Sequence, residues 1–242
     1  MSSFAFTDAT TYVAGYDFTT DLNQITLKVD VEEKDCTTFG GGGFRSRLAG
    51  LRNIEAELQG YWQSATSGAV DPESFPDLGV VDRPVTMTPT GAAGSAAYIF
   101  QAGKFSYQMF GQVGEVTPFT LSCLGTNGVG VARGQVAAAK GAVSATGALG
   151  SVLNLGAPTS TQYVYAVLHV FSAGTTITVQ VQSDDSAGMG SPTTRGTIGP
   201  ITTTGGTWMT RVAGPFVGET HWRMNVSAIT GTFSVAGAIA VQ

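Results

Sequence analysis

The sequence predicts an all-β protein with small helical content, and three observations carry that prediction. Charged residues make up 12% of the 242-residue chain, about half the usual share of roughly 25%. Glycine occurs 33 times, and Thr, Ser and Ala fill much of the remainder, whereas helices draw on Glu, Lys, Leu and Arg. Alternating apolar and polar segments recur between Gly, Ser and Thr turns, the spacing of antiparallel sheets. With 43% hydrophobic residues, the chain can bury a core without disulfides or metals. Its length suits one large or two modest domains.

The elements follow in chain order. ITLKVDVE (25–32) places Ile25, Leu27, Val29 and Val31 on one face of a half-buried strand. RNIEAELQGYW (52–62) fits period two through Ile54, Ala56, Leu58 and Trp62, and a short helix through Ile54, Leu58 and Tyr61. The strand is favoured because it would pair with the first. Between them lies a long loop, 34–50, holding four consecutive glycines. DPESFPDLG (71–79) begins a single helical turn and ends in turn chemistry. VTMTPT, AAYIFQAGKFSYQMFGQVG and VTPFTLSCLG read as strands, with aromatic residues at Tyr98, Phe100, Phe105, Tyr107 and Phe110.

The stretch 128–158 is almost all small residues and reads as a strand leaving a first domain, then a connector. QYVYAVLHVF, TTITVQVQSDD, GTWMTRVAG, HWRMNVSAI and GTFSVAGAIAVQ follow as strands spaced like those of a sandwich. The expected organisation is therefore serial: 1–138 a β domain, 139–158 a small-residue connector, 159–242 a C-terminal β-sandwich of immunoglobulin-like or jelly-roll type.

The net charge of −5 is uneven: residues 139–242 hold four basic and three acidic residues, and the first 138 hold eight and fourteen. That balance argues against tight nucleic-acid binding, which needs clustered Lys and Arg. It permits a surface that DNA slides past. Cys36 and Cys123 form no disulfide framework and are expected as reduced thiols. The start, MSSFAFTDATTYVAG, has no basic n-region or sustained apolar h-region, and no run of about 18 apolar residues occurs. The expectation is a soluble protein made in a cytoplasm, with no membrane partner.

Chemistry-bearing constellations are sparse. GGGGFRSRLAG has neither phosphate-loop spacing, and H-E-x-x-H, C-x-x-C and G-x-S-x-G do not occur. His169 and His221 sit within strand patterns without a patterned partner. Adjacent carboxylates Glu32/Glu33 and Asp184/Asp185 point to opposite faces of a strand. SDDSAGMG offers hard oxygen ligands for calcium, yet Asp, Gly and Ser are also what hairpin turns require. Asn225-Val226-Ser227 matches a glycosylation sequon inside a strand. Trp208 and Trp222 could form a platform for sugar rings, against the competing account of sandwich packing. No catalytic residue, metal or cofactor is assigned, and the chain is not expected to be an enzyme.

What remains is assembly. Most hairpin loops run two to five residues, and this one carries Phe39 and Phe44 as apolar anchors. Asp35, Arg45 and Arg47 beside them suit directional ion pairs across an interface. The segment EEKDCTTFGGGGFRSRLAGLRNIEAELQGYW, with its D-x-T-T-F-G start (Asp35, Thr37) and R-x-R-L-A-G-L exit, resembles the tail tube (major tail) proteins of long-tailed bacteriophages. FGQVGEVTPFTLSCLG fits the return strands of that family, and the resemblance covers roughly residues 20–138.

The resemblance implies a β-sandwich with a flanking helix, forming hexameric rings whose inner strands join into one barrel, the rings stacking into a hollow tube. By position, Asp35–Gly50 would reach the neighbouring ring, and strands 25–33 and 52–62, with Ile25, Leu27, Val29, Val31, Ile54 and Leu58, would line the inner barrel. The 63–80 region, with Pro72 and Pro76, departs from the family by leaving room for only a short helix. Implied partners are copies of the chain, terminator, tape-measure and baseplate proteins, and DNA passing through without sequence-specific binding. The implied location is the virion tail. A capsid decoration protein, tail terminator or baseplate component, and a carbohydrate-binding protein, are the alternatives.

Overall fold

The computed structural model describes residues 9–39, 43–64 and 68–242; Gly40, Gly41 and Gly42 of the tetraglycine lie outside them. The fold is all-β. The strands are β1 Thr10–Val13, β2 Tyr16–Asp17, β3 Leu22–Asp35, β4 Arg47–Tyr61, β5 Arg83–Thr88, β6 Ala96–Met109, β7 Pro118–Gly125 and β8 Ala132–Val143. They continue with β9 Gly147–Asn154, β10 Tyr163–Ser172, β11 Thr176–Asp184, β12 Thr193–Ile201, β13 Gly205–Trp208, β14 Val212–Ala213, β15 His221–Thr230 and β16 Phe233–Val241. Among the described residues there is one helix, α1 Val70–Ser74, which falls where a single turn is expected.

The chain divides into two compact units that are interleaved rather than serial. The larger comprises 1–20, 82–101 and 132–242; the smaller comprises 21–81 and 102–131. This corrects the expected break at residues 138–159. The supposed connector forms the end of β8 and all of β9, and β8 pairs along its length with β16, the last strand. A cut near residue 140 would therefore remove the partner of β8 instead of freeing a domain.

In the larger unit, strands run β13-β10-β16-β8-β6-β5-β1-β2 in one sheet and β12-β11-β15-β9 in the other. The core between them follows from period-two patterning. Val164, Ala166 and Leu168 of β10 meet Ile177, Val179 and Val181 of β11, with Trp222, Met224 and Val226 of β15. The long sheet curls, so that a second apolar interior forms on its other face. There the Tyr12 ring lies 5.5 Å from His169 and 4.9 Å from Phe171.

His169 ties this curl together and is fully buried. Its Nδ1 accepts from the Gly15 amide at 3.3 Å, and Nε2 lies 2.9 Å from Thr86 Oγ1. Because Nδ1 accepts from an amide, the ring proton resides on Nε2 and is donated to Thr86. The histidine is thus a neutral linchpin between β10, β5 and the β1–β2 turn. Burial drives its pKa down from 6.5 to about 3.

The smaller unit has the strand order β3-β4-β7 followed by the second half of β6. On one face Ile25 and Leu27 lie across from Leu58 and Ala56, which oppose Leu121 and Cys123 of β7. Helix α1 covers this face, held by Lys104, whose buried Nζ donates to Glu73 O at 2.7 Å and to Asp77 Oδ2 at 3.2 Å. A buried cation is tolerated only when paired and hydrogen-bonded in this way. Burial pushes the Cys123 thiol up to about 12, so it is an inert core group, and both cysteines are free.

The depressed histidine pKa fixes a sign. The unfolded chain takes up the proton first, so stability is lost as pH falls below 6.5, down to about 3. Between pH 7 and 4 this amounts to about 3 kcal/mol. His169→Gln should be less stable at pH 8, and its deficit in urea unfolding should narrow as pH drops to 4. A deficit independent of pH would contradict a buried neutral imidazole.

Candidate functional site

β3 and β4 are longer than the sheet that supports them. β4 pairs with β7 only from Glu55 to Tyr61, whereas its pairing with β3 continues out to Asp35↔Arg47. The outer part, 29–35 with 47–53, is a two-stranded ribbon. Such a ribbon has marginal stability in water by itself. Nevertheless it carries apolar side chains: Val29 and Val31 are 50% exposed, Leu48 63% and Leu51 80%.

A register shift between Val31 and Glu33 sets one residue of β3, Glu32, against two of β4, Gly50 and Leu51, a bulge. A side chain at Gly50 would bring its Cβ within 3.1 Å of Glu32 O, which explains a glycine in the A-G-L motif.

The ribbon ends in a loop of residues 36–46, shorter than the expected 34–50 because Asp35 and Arg47 belong to the strands. Its base is built from the D-x-T sequence. Asp35 Oδ1 accepts from the Thr37 amide at 2.9 Å and from Thr37 Oγ1 at 2.5 Å, and Thr37 Oγ1 accepts from the Ser46 amide at 2.9 Å. The Thr37 hydroxyl and then its amide hold the Asp35 carboxyl below its usual value. Arg47 Nε meets Glu33 Oε1 at 2.7 Å, and Lys34 pairs with Glu32. Asp35 and Arg47, expected to make ion pairs across an interface, are thus engaged in shaping their own ribbon. Phe39, Phe44 and Arg45 are exposed beyond that base.

The remaining face of the smaller unit's sheet is polar. Thr26, Lys28 and Asp30 of β3 lie across from Glu57, Glu55 and Asn53 of β4, and Glu57 and Gln59 oppose Ser122 and Thr120. Lys28 Nζ contacts Asp30 Oδ2 at 2.6 Å, which holds its ammonium above its ordinary pKa. Glu55 and Glu57 leave this face with two excess negative charges. The smaller unit has six basic and eleven acidic residues, so it accounts for the whole net charge of −5.

Of the other predicted site residues, Ile25 and Leu27 are half-buried, and Ile54 and Leu58 are buried. Only Val29 and Val31 of the inner-barrel set stand exposed. Trp222, for which sandwich packing competes with a sugar platform, is fully buried and its Nε1 donates to Gly156 O at 3.0 Å. Trp208 is half-buried, its ring 6.1 Å from that of Tyr165. The SDDSAGMG segment is a braced turn in which Asp184 Oδ2 accepts from the Ser191 amide at 2.9 Å.

Leu48, Leu51 and the bulge were not singled out in sequence. Their signal was an apolar pair three residues apart beside a glycine, which does not fit either period.

No family model and no curated protein matches the chain. Solved structures do show similarity. The tail of an empty gene transfer agent particle, refined with C6 helical symmetry, is 19% identical over 44% of this chain and 78% of that one, with a TM-score of 0.37. The Dit (gp 19.1) protein of the phage SPP1 is 11% identical over 97% and 99%, with a TM-score of 0.36. The anti-feeding prophage baseplate, 6-fold symmetrised, is 15% identical over 52% and 95%, with a TM-score of 0.40.

Asp35→Ala should remove the hydrogen-exchange protection of the Thr37 and Ser46 amides and leave the global unfolding midpoint nearly unchanged. In the wild type, that protection should persist above the usual carboxylate value of 3.8 and disappear as pH falls through the lowered Asp35 value. Protection insensitive to both changes would contradict the loop-base assignment.

Proposed function

We propose that this chain is a structural subunit of a bacteriophage tail, in which the smaller unit joins copies of itself into rings around a channel for DNA. The observation that carries this reading is the ribbon 29–35/47–53, whose apolar side chains Val29, Val31, Leu48 and Leu51 stand 50% to 80% exposed. Except for Val152 and Val217, every exposed large hydrophobic side chain among the described residues belongs to the smaller unit. Contiguous exposed apolar surface marks an interface. The outer edge of β3 is also open among the described residues, where β3 pairs with β4 alone. Closing such edges between copies in a cyclic assembly removes them.

The resemblance of the D-x-T-T-F-G and R-x-R-L-A-G-L segments to tail tube proteins supports the finer assignment: a tube subunit, in hexameric rings stacked end to end. Working partners are the terminator, tape-measure and baseplate proteins. The polar face bearing Glu55 and Glu57 then lines the channel, where excess negative charge keeps DNA phosphates from adhering. The larger unit has six basic and six acidic residues, and its surface carries few exposed large hydrophobics. It suits the solvent-facing part of the assembly.

Negative-stain microscopy tests the reading. The purified protein should form rings or tubes. Val29→Asp combined with Leu51→Asp should leave monomers whose thermal midpoint is close to wild type, since both positions are exposed. Dispersed wild-type monomers at all concentrations would overturn the assignment. Neutralising the channel face with Glu55→Gln and Glu57→Gln should preserve tubes but slow DNA ejection from virions. Unchanged ejection kinetics would refute the channel role of that face.

A further inference from the structure

The larger unit carries a row of aromatic rings outside its sandwich core. Alternate residues of a strand share a face. On the face of β10 away from that core, Tyr163 and Tyr165 precede Val167, which lies across from Trp208 of β13. The Tyr163 and Tyr165 ring centroids are 6.3 Å apart, and those of Tyr165 and Trp208 are 6.1 Å apart. Further along this face, His169 and Phe171 are taken up by the interior of the curl. The row itself stays accessible, with Tyr163 and Trp208 half-buried and Tyr165 9% exposed.

Its polar tips are free as well. Among the described residues, the Tyr163 and Tyr165 hydroxyls and the Trp208 indole N–H have no partner in the chain, yet none is a buried orphan. They open to solvent.

Two exposed polar side chains flank the row. The Arg211 guanidinium lies 4.5 Å from the centroid of the Tyr163 ring. Among the described residues it has no carboxylate partner, whereas Lys140 and Arg195 of the same unit pair with Asp17 and Glu219. Gln242 lies directly across from Tyr163: the Tyr163 amide donates to Gln242 O at 2.7 Å, and the Gln242 amide to Tyr163 O at 3.0 Å. Opposed residues of an antiparallel pair share a face. Gln242 Oε1 accepts from the Arg133 amide at 3.0 Å, which leaves the Gln242 side-chain NH2 as a donor.

Apolar ring faces rimmed by hydroxyl, indole and amide groups match a sugar ring, which presents C–H faces and hydroxyl edges. A guanidinium that stacks on a tyrosine and lacks a carboxylate of its own is set to grip one on a ligand bidentately. Nucleic acid fits less well. The neighbouring rings tilt by 52° and 57°, so they offer no parallel steps for successive bases. The six basic and six acidic residues of the unit make no basic groove.

We propose that Tyr163, Tyr165, Trp208, Arg211 and Gln242 form a binding site for an acidic saccharide, with its sugar rings against the aromatic row and its carboxylate on Arg211. The site lies within the larger unit and does not depend on the structural-subunit reading.

The full-length protein should be tested on an array of neutral and carboxylate-bearing oligosaccharides, with oligo(dT) as the nucleic-acid probe. It should retain at least one carboxylate-bearing saccharide in preference to its neutral counterpart and to oligo(dT). Titrating that saccharide should change the tryptophan fluorescence. Trp208→Ala should abolish the change and weaken binding by roughly tenfold or more. Arg211→Gln should weaken it about tenfold with an unchanged melting temperature, since the residue is exposed. Arg211→Lys should recover only part, because the ammonium keeps the charge without the planar fork. No saccharide retained, equal affinity for acidic and neutral forms, retention of oligo(dT) instead, or full binding by Arg211→Gln overturns the site. None of these results bears on the subunit reading, because the assay does not read assembly.

Discussion

A two-stranded ribbon has no interior, and that constraint governs the rest of this structure. Successive residues along each of its strands point to opposite faces, so an apolar side chain there stays wet unless something outside the ribbon covers it. Val29, Val31, Leu48 and Leu51 are in that position. The chain nevertheless invests in shaping the ribbon and bracing its end, through the Arg47–Glu33 pair, the Asp35–Thr37–Ser46 hydrogen bonds and the bulge at Gly50. Exposed ion pairs of this type add little stability, so their use is to preset geometry. A preset, sticky ribbon loses less conformational freedom when it binds.

The other features of the smaller unit support that ribbon from below. The buried Lys104 fastens α1 and the segment at Asp77 across the apolar face of the sheet. That arrangement leaves the opposite face polar and acidic. In one four-stranded layer the chain thus separates four surfaces: a covered apolar face, an acidic face, and two apolar ends. The larger unit follows a different logic. It buries its apolar residues in two interiors, one between its sheets and one inside the curl pinned by His169, and it balances its charge.

Much of this was legible in the sequence where one rule dominated. Strict alternation at 25–31 and 54–58 revealed β3 and β4, and the D-x-T signature proved to be a hydrogen-bonded loop base. Proline and turn residues limited the helix to one turn, as found. The interleaved units were not legible, because β1, β2 and β5 are short, and nothing in their composition shows that they pair with strands far away in sequence. The small residues of 139–158 misled for a physical reason. β8 and β9 approach so closely that a Cβ at Gly150 would lie 2.0 Å from Ala137 O, so glycine and alanine there reflect tight strand packing. The alternation of Trp222 with Met224 and Val226 fits its place in the core, where its indole N–H also finds a carbonyl, that of Gly156.

The central claim is that the ribbon is covered by another copy, and amide hydrogen exchange reads it most directly. Residues 29–35 and 47–53 should exchange quickly in dilute protein, where only one edge of each strand is bonded. They should become strongly protected in assembled particles. Equal exchange in the two states would show that the ribbon meets nothing, and the account would fail.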